Sequence, residues 1–250
     1  MAGRDTNIGA KRARELHAEL GLAPEQPVGS LLTLVEERLA LPVAVAALPD
    51  AIAGCCWRDG DRTVLWVNGR HPPVRMRFTL AHEVGHVRCG HDAGVAVDTY
   101  ETLGGRSTDA REVQANAFAA ELLAPAAGVR AMLDGEPTLE DVVRIAARYG
   151  ISPIAALFRL GTLGLSRRID VLRGEIDDGL VADVRQRIDV PPFADEIAAI
   201  GLDDLPRLSP AIAGGALAAI AAGRTSIEDA ASAADCAPER LSSGAATIGI

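Results

Sequence analysis

The sequence predicts an α+β fold, mostly helical, with a small antiparallel sheet early in the chain and helical segments through its C-terminal half. Two β-prone runs, Ile52–Arg58 and Thr63–Asn68, flank Asp59-Gly60, the pattern of a hairpin. Later segments repeat apolar residues at helical spacing behind capping residues. Hydrophobic residues make up 48% of the chain but aromatics only 3%, so the core must be built from Ala, Val, Leu and Ile. At 250 residues and 26.0 kDa the chain can bury one sizeable core, or a core with a smaller second domain.

In chain order, an Arg-rich helical stretch around Ala10–Leu20 reads as a peripheral N-terminal helix. Ser30 can cap a helix through Leu31, Leu32, Leu34, Val35 and Leu39, which Pro42 ends. Val43–Ala46 is a short strand candidate, followed by the hairpin, whose Trp57 and Trp66 read as core. Pro72-Pro73 can open the next helix, and Gly90 is placed to close it. Residues 91–108 read as a polar loop long enough to border a functional cleft. A helix starting near Asp109 then carries Glu112, Ala115, Asn116 and Ala119 on one face, small enough for close approach to a neighbour, and stops at Pro125.

Beyond it, Thr138-Leu139-Glu140-Asp141 is a capping-box-like start, and Gly150-Ile151-Ser152 makes a turn into a helix opened by Pro153. Helix, Gly-containing turn, helix is the grammar of a helix-turn-helix unit; Arg144, Arg148 and Arg159 could face phosphates, but the acidic chain and the lack of a clustered basic stripe favour a unit that only packs or recognises a protein partner. Pro191-Pro192 reads as a linker, with further helices at Ala211–Ala222 and after Thr225.

The net charge of −9 argues against a nucleic-acid coat, since phosphate binding favours a basic surface. No charged-then-apolar leader follows Met1, and the longest apolar run is too short for a bilayer, so a soluble, cytoplasmic protein without a membrane partner is expected. Cys55, Cys56, Cys89 and Cys236 show no disulfide-framework spacing.

The chemistry concentrates in His82-Glu83-Val84-Gly85-His86, an H-E-x-x-H pattern. On a helix, residues at i and i+4 share a face, one turn apart and roughly 40° around the axis. Two imidazoles so placed can share one metal ion, and Glu83 on the flank can act as general base toward the attacking water. Zinc suits this set, because it accepts two His and a carboxylate and leaves a fourth position open. Candidates for the third ligand are Glu112, His91, Asp92 and Cys89. In the pattern H-E-x-x-H-x-x-G-x-x-H the third ligand is a His six residues after the second. Here Gly90 falls one position late and His91 one early. The other solution is a Glu from a later helix, and Glu112 fits it.

Arg77–His86 (RFTLAHEVGH) followed by Glu112–Pro125 (EVQANAFAAELLAP) resembles the ImmA/IrrE metallopeptidases. The resemblance spans roughly residues 30–165, and Ala124 stands where the family usually has Met. It implies a zincin-like domain with a bound Zn2+, with His82, His86 and Glu112 as ligands and Glu83 as catalytic base. It also implies a substrate class, helix-turn-helix repressors, whose cleavage derepresses stress-response or mobile-element genes.

The expected organisation is an N-terminal helical extension (1–28), a zincin-like metallopeptidase domain (29–128), a helix-turn-helix-like segment (129–170) and a C-terminal helical domain (171–250) suited to recognition or homodimerisation. Tyr100, with Arg88 and His91 behind it, is the candidate to stabilise the oxyanion. Two alternatives are a metal- or ligand-sensing regulator that acts through its C-terminal helices without proteolysis, and a regulator that binds DNA directly.

Overall fold

A computed structural model describes residues 2–59, 62–91, 95–99, 107–191, 195–233 and 238. Helix α1 (Ala2–Glu19) is followed by α2 (Leu31–Thr33), which runs into a π-helical turn at Leu34–Arg38. Three strands come next: β1 (Val43–Ala46), β2 (Ile52–Asp59) and β3 (Arg62–Asn68). Helix α3 (Pro73–Cys89) precedes β4 (Val95–Thr99), and α4 (Ala110–Leu123) leads into α5 (Ala126–Ala131). The rest is helical: α6 (Leu139–Tyr149), α7 (Pro153–Thr162), α8 (Ile169–Asp177), α9 (Val181–Arg187), α10 (Pro210–Ala221) and α11 (Ile227–Ala233), interrupted by a two-residue strand β5 (Arg207–Leu208). The α+β, mostly helical class holds.

The expected caps form. Ser30 Oγ accepts from Thr33 N at 3.3 Å, Ser152 Oγ from Ala155 N at 3.1 Å, and Thr138 and Asp141 close a capping box. Pro73 takes the first turn of α3 and Gly90 ends it at φ 71°, a left-handed conformation that glycine adopts without a Cβ clash.

The sheet departs from the expected one. Among the described residues it has five strands in the order β4-β2-β3-β1-β5, and it is mixed. β2 pairs antiparallel with β3 and β4, and β5 antiparallel with β1, but β1 runs parallel to β3 with Val43 opposite Leu65. The buried Asn68 fixes this arrangement. Its Nδ2 donates to the carbonyls of Leu48, Pro49 and Ile52 at 3.2, 3.2 and 2.8 Å, and its Oδ1 accepts from Leu48 N at 3.3 Å. The short connection is thereby folded across the end of β3, and β2 is delivered to the far side. β4 arises within the segment read as a loop, where Val95-Ala96-Val97 supply a short β-prone run.

Trp57 is 36% exposed, so the core reading fails for it: β2 alternates, and Trp57 falls on the side opposite the buried Cys56. α1 is not peripheral either. Ala13 and Leu16 are fully buried, and a Cβ on Gly9 would stand 2.0 Å from the carbonyl oxygen of Gln114. The stripe Gly9, Ala13, Leu16 is small and narrow, a weak signal in sequence but a close fit against α4 in space.

Residues 195–208 fold back on the sheet side of the molecule. Asp195 Oδ2 accepts from Arg77 Nη1 at 2.6 Å, with both side chains buried, and β5 covers the edge of β1. These contacts cross the boundary placed at residue 171.

Candidate metal centre

Helix α3 is buried over almost its whole central length, from Met76 to His86 with Phe78 as the partial exception. It lies against β2 and β3 on one side and α4 on the other. Gly85 sets the distance to α4: a Cβ there would sit 3.1 Å from Ala115 Cα and 3.2 Å from Phe118 Cβ. This close approach offsets the helix-propensity cost of glycine, about 1 kcal/mol relative to Ala. It also brings Glu112, in the first turn of α4, over the two histidines.

The three candidate ligands meet. His82 Nε2 and His86 Nε2 are 2.9 Å apart. Glu112 Oε2 is 3.2 Å from the first and its Oε1 3.5 Å from the second. One ligand atom from each of the three lies within 4.8 Å of the other two. Atoms 2.0–2.1 Å from a tetrahedral ion stand about 3.3 Å apart, so these separations match a small cation with His2Glu ligation. His82 Nδ1 faces Asn116 Oδ1 at 3.0 Å. With the proton on Nδ1, donated to that oxygen, the Nε2 lone pair is directed at the centre. The donor set and its orientation both fit zinc.

Burial alone would raise the pKa of Glu112, but its contacts with His82 and His86 outweigh that and hold the carboxyl well below the usual carboxylate range. Glu112 is thus ready as an anionic ligand at neutral pH. Glu83 is fully buried one residue after His82. Gly54 on β2 leaves room for it: a Cβ there would lie 2.8 Å from Glu83 Oε1 and 2.6 Å from Thr79 Cγ2.

The other candidates separate. His91 sits behind His86, with the two Nδ1 atoms 2.9 Å apart, and is not in the group of converging ligand atoms. Burial lowers its pKa, which favours a neutral ring. Cys89 is likewise outside that group, and burial pushes its thiol pKa up, against a thiolate role. Arg88 bonds Glu19 on α1 at 2.5 Å, an engagement that leaves it a poor oxyanion donor. Tyr100 and Asp92 lie outside the described residues. Of the arginines suggested for phosphate contact, Arg159 is buried against Glu121 and donates to the Ala124 carbonyl at 2.9 Å. Arg144 pairs with Glu140. Asn116 and Gly54 carry roles that the sequence did not reveal. For Asn116 the signal was present, one helical turn after Glu112 on the same face.

A buried helix bearing two histidines and a carboxylate, covered by a second helix that contributes another carboxylate, defines a metallopeptidase-type centre. Residues 48–161 match the peptidase family described as the IrrE N-terminal-like domain, and the resemblance to ImmA/IrrE metallopeptidases holds over that segment. The chain is 34% identical over 110 residues to the radiation response metalloprotease IrrE of Deinococcus radiodurans, covering 42% of this chain and 34% of that protein. It is 33% identical over 104 residues to the protein of the same description from Deinococcus deserti, covering 41% and 37%. The match thus spans about a third of each relative's length. No helix among the described residues is long and apolar enough to cross a membrane.

Proposed function

We propose that the chain is a zinc-dependent endopeptidase acting on a cytoplasmic protein, with His82, His86 and Glu112 as metal ligands and Glu83 as general base. The observation that carries this reading is the convergence of the three ligand atoms beside a fully buried Glu83. Site and family similarity together support hydrolysis of a peptide bond. When bound, zinc supplies Lewis-acid chemistry, polarising a peptide carbonyl and making water nucleophilic near neutral pH. Glu83 takes the proton from the attacking water and returns it to the departing amine nitrogen. Asn116 holds His82 in the ligating tautomer, and Gly54 admits β2 close to Glu83, shielding that carboxylate from bulk water. Tyr100 is proposed as the donor to the oxyanion. The substrate class we propose is a helix-turn-helix repressor whose cleavage derepresses stress-response or mobile-element genes.

The test is cleavage of repressors encoded beside this gene by zinc-loaded protein. Glu83→Gln keeps size but removes basicity, so it should retain zinc and lose cleavage by orders of magnitude. Equal cleavage by that variant would reject Glu83 as base. An intact zinc centre with no cleavage by the parent would favour the sensing regulator.

A further inference from the structure

Resting on the peptidase reading of the metal centre, we propose that Arg58 is a specificity-determining residue. It binds a carboxylate of the polypeptide substrate, from an acidic side chain or from that chain's C-terminus.

Side chains alternate along a strand, so Arg58 shares a face of β2 with Gly54 and Cys56. Gly54 stands against Thr79 and the proposed base Glu83, and Arg58 Nη1 donates to the His91 carbonyl at 2.9 Å. β2 and α3 therefore run side by side in the same direction, with Glu83 toward one end of the contact and the guanidinium at the other. Arg58 lies about 13 Å along the strand from Gly54, so it serves a substrate residue within about four positions of the scissile bond. His91 ties the guanidinium to the centre. Its ring stands edge-on to that of His86, with centroids 4.9 Å apart.

The bond to His91 is not needed to close α3. The Gly90 N–H already serves the carbonyls of His86 and Val87, and His91 N donates to the His86 carbonyl at 3.1 Å. A guanidinium has five N–H donors and no acceptor, and the His91 carbonyl engages a single one. Arg58 is half-buried, its Nε is covered without an acceptor, and no carboxylate among the described residues pairs with it. A cation withdrawn from water without a counter-charge costs stability. The buried arginines elsewhere in this chain avoid that cost, Arg77 through Asp195 and Arg159 through Glu121. Arg58 keeps its outer Nη1/Nη2 edge for a partner from outside. That planar fork matches a carboxylate with two parallel hydrogen bonds, and partial shielding from water strengthens the attraction.

The test uses the full chain, zinc-loaded and carrying Glu83→Gln so that bound peptides stay intact, on a peptide array. Each peptide with Glu or Asp is paired with its Gln or Asn form, and each free C-terminus with its amide. The two pairings separate a side-chain carboxylate from a terminal one. Acidic forms should bind about 10–100-fold more tightly than their neutral partners. Adding Arg58→Gln, which keeps a donor for the His91 carbonyl, should abolish that preference. Arg58→Glu should invert it in favour of peptides with Lys or Arg. If Arg58→Gln does not fold, Arg58→Lys carries the test: the ammonium keeps the sign of the preference but lacks the fork, so the ratio should drop. No carboxylate preference before Arg58 is changed, or one that survives Arg58→Gln, would overturn the inference. So would weaker zinc binding in chelator competition with the preference intact, which would make Arg58 a support for the metal centre alone. Cleavage is scored separately on the parent. Selective binding without cleavage would reject the peptidase reading and leave the carboxylate site standing.

Discussion

At the residue scale the site depends on which atoms are admitted and which are excluded. Glu112→Ala removes the one proposed ligand that comes from another helix. We expect the variant to lose full zinc occupancy by elemental analysis; unchanged occupancy and coordination would reject Glu112 as ligand. Gly54→Ala is the subtler change. Its methyl would meet the Trp66 carbonyl oxygen at 2.6 Å as well as Glu83 and Thr79. The backbone oxygen cannot move cheaply, so β2 or α3 must shift. Zinc binding should persist, since no ligand is touched, while kcat falls at least tenfold through a displaced Glu83. Equal loss of zinc and activity would show that Gly54 supports the whole helix and not the base in particular.

At the element scale, the centre exists because α3 and α4 approach closely. Their interface is made of Gly85, Ala115 and Phe118, and it sets the height of Glu112 over the histidines. Gly85→Val would force the helices apart. Overpacking of this kind costs about 1–3 kcal/mol, and here it should also weaken zinc binding. Chemical denaturation and chelator competition on the same variant measure the two effects. A stability loss with unchanged zinc affinity would mean that Glu112 can follow the histidines.

At the scale of the whole molecule, the C-terminal segment acts as a strap on α3, the helix of the proposed metal site. Arg77 of α3 is 1% exposed, and it donates to the carbonyls of Val28 and Gly29 at 2.6 and 2.9 Å besides its pair with Asp195. Glu196 beside it accepts from Ser30 and Thr33 at 2.9 and 2.6 Å. Asp195→Ala leaves a buried guanidinium short of its counter-charge, and breaking such a pair costs about 3–5 kcal/mol. We expect a loss near the lower end, about 3 kcal/mol, because two backbone carbonyls remain; a change under about 1 kcal/mol would remove the strap from the account of stability. Zinc should act in the opposite sense. A ligand at about 100 times its dissociation constant adds about 2.7 kcal/mol, which for a chain this long raises Tm by roughly 5–10 °C. That shift should appear on adding zinc to chelated parent and be absent in Glu112→Ala.

The sequence by itself determined the spacing of the proposed ligands and the local grammar. His82 and His86 at i and i+4, Glu83 between them, the caps at Ser30, Thr138 and Ser152, and the Gly90 stop are short-range patterns, and short-range geometry dictates them. The small face of α4 announced close packing before its partner was known. Tertiary structure alone decided what depends on distant neighbours. β1 and β3 became parallel because the Asn68 side chain folds the intervening connection across the strand end, a bond set that hydropathy does not encode. α1 joined the core through Gly9 and Ala13, whose small size hides their burial in any count of apolar area. His91 looked like a misplaced third ligand because spacing measures position along a helix. Once Gly90 turns the chain, its ring lies behind His86, and only the fold brings Gln114 within reach of it. Arg77 and Asp195, 118 positions apart, form a buried pair that no local pattern foretells.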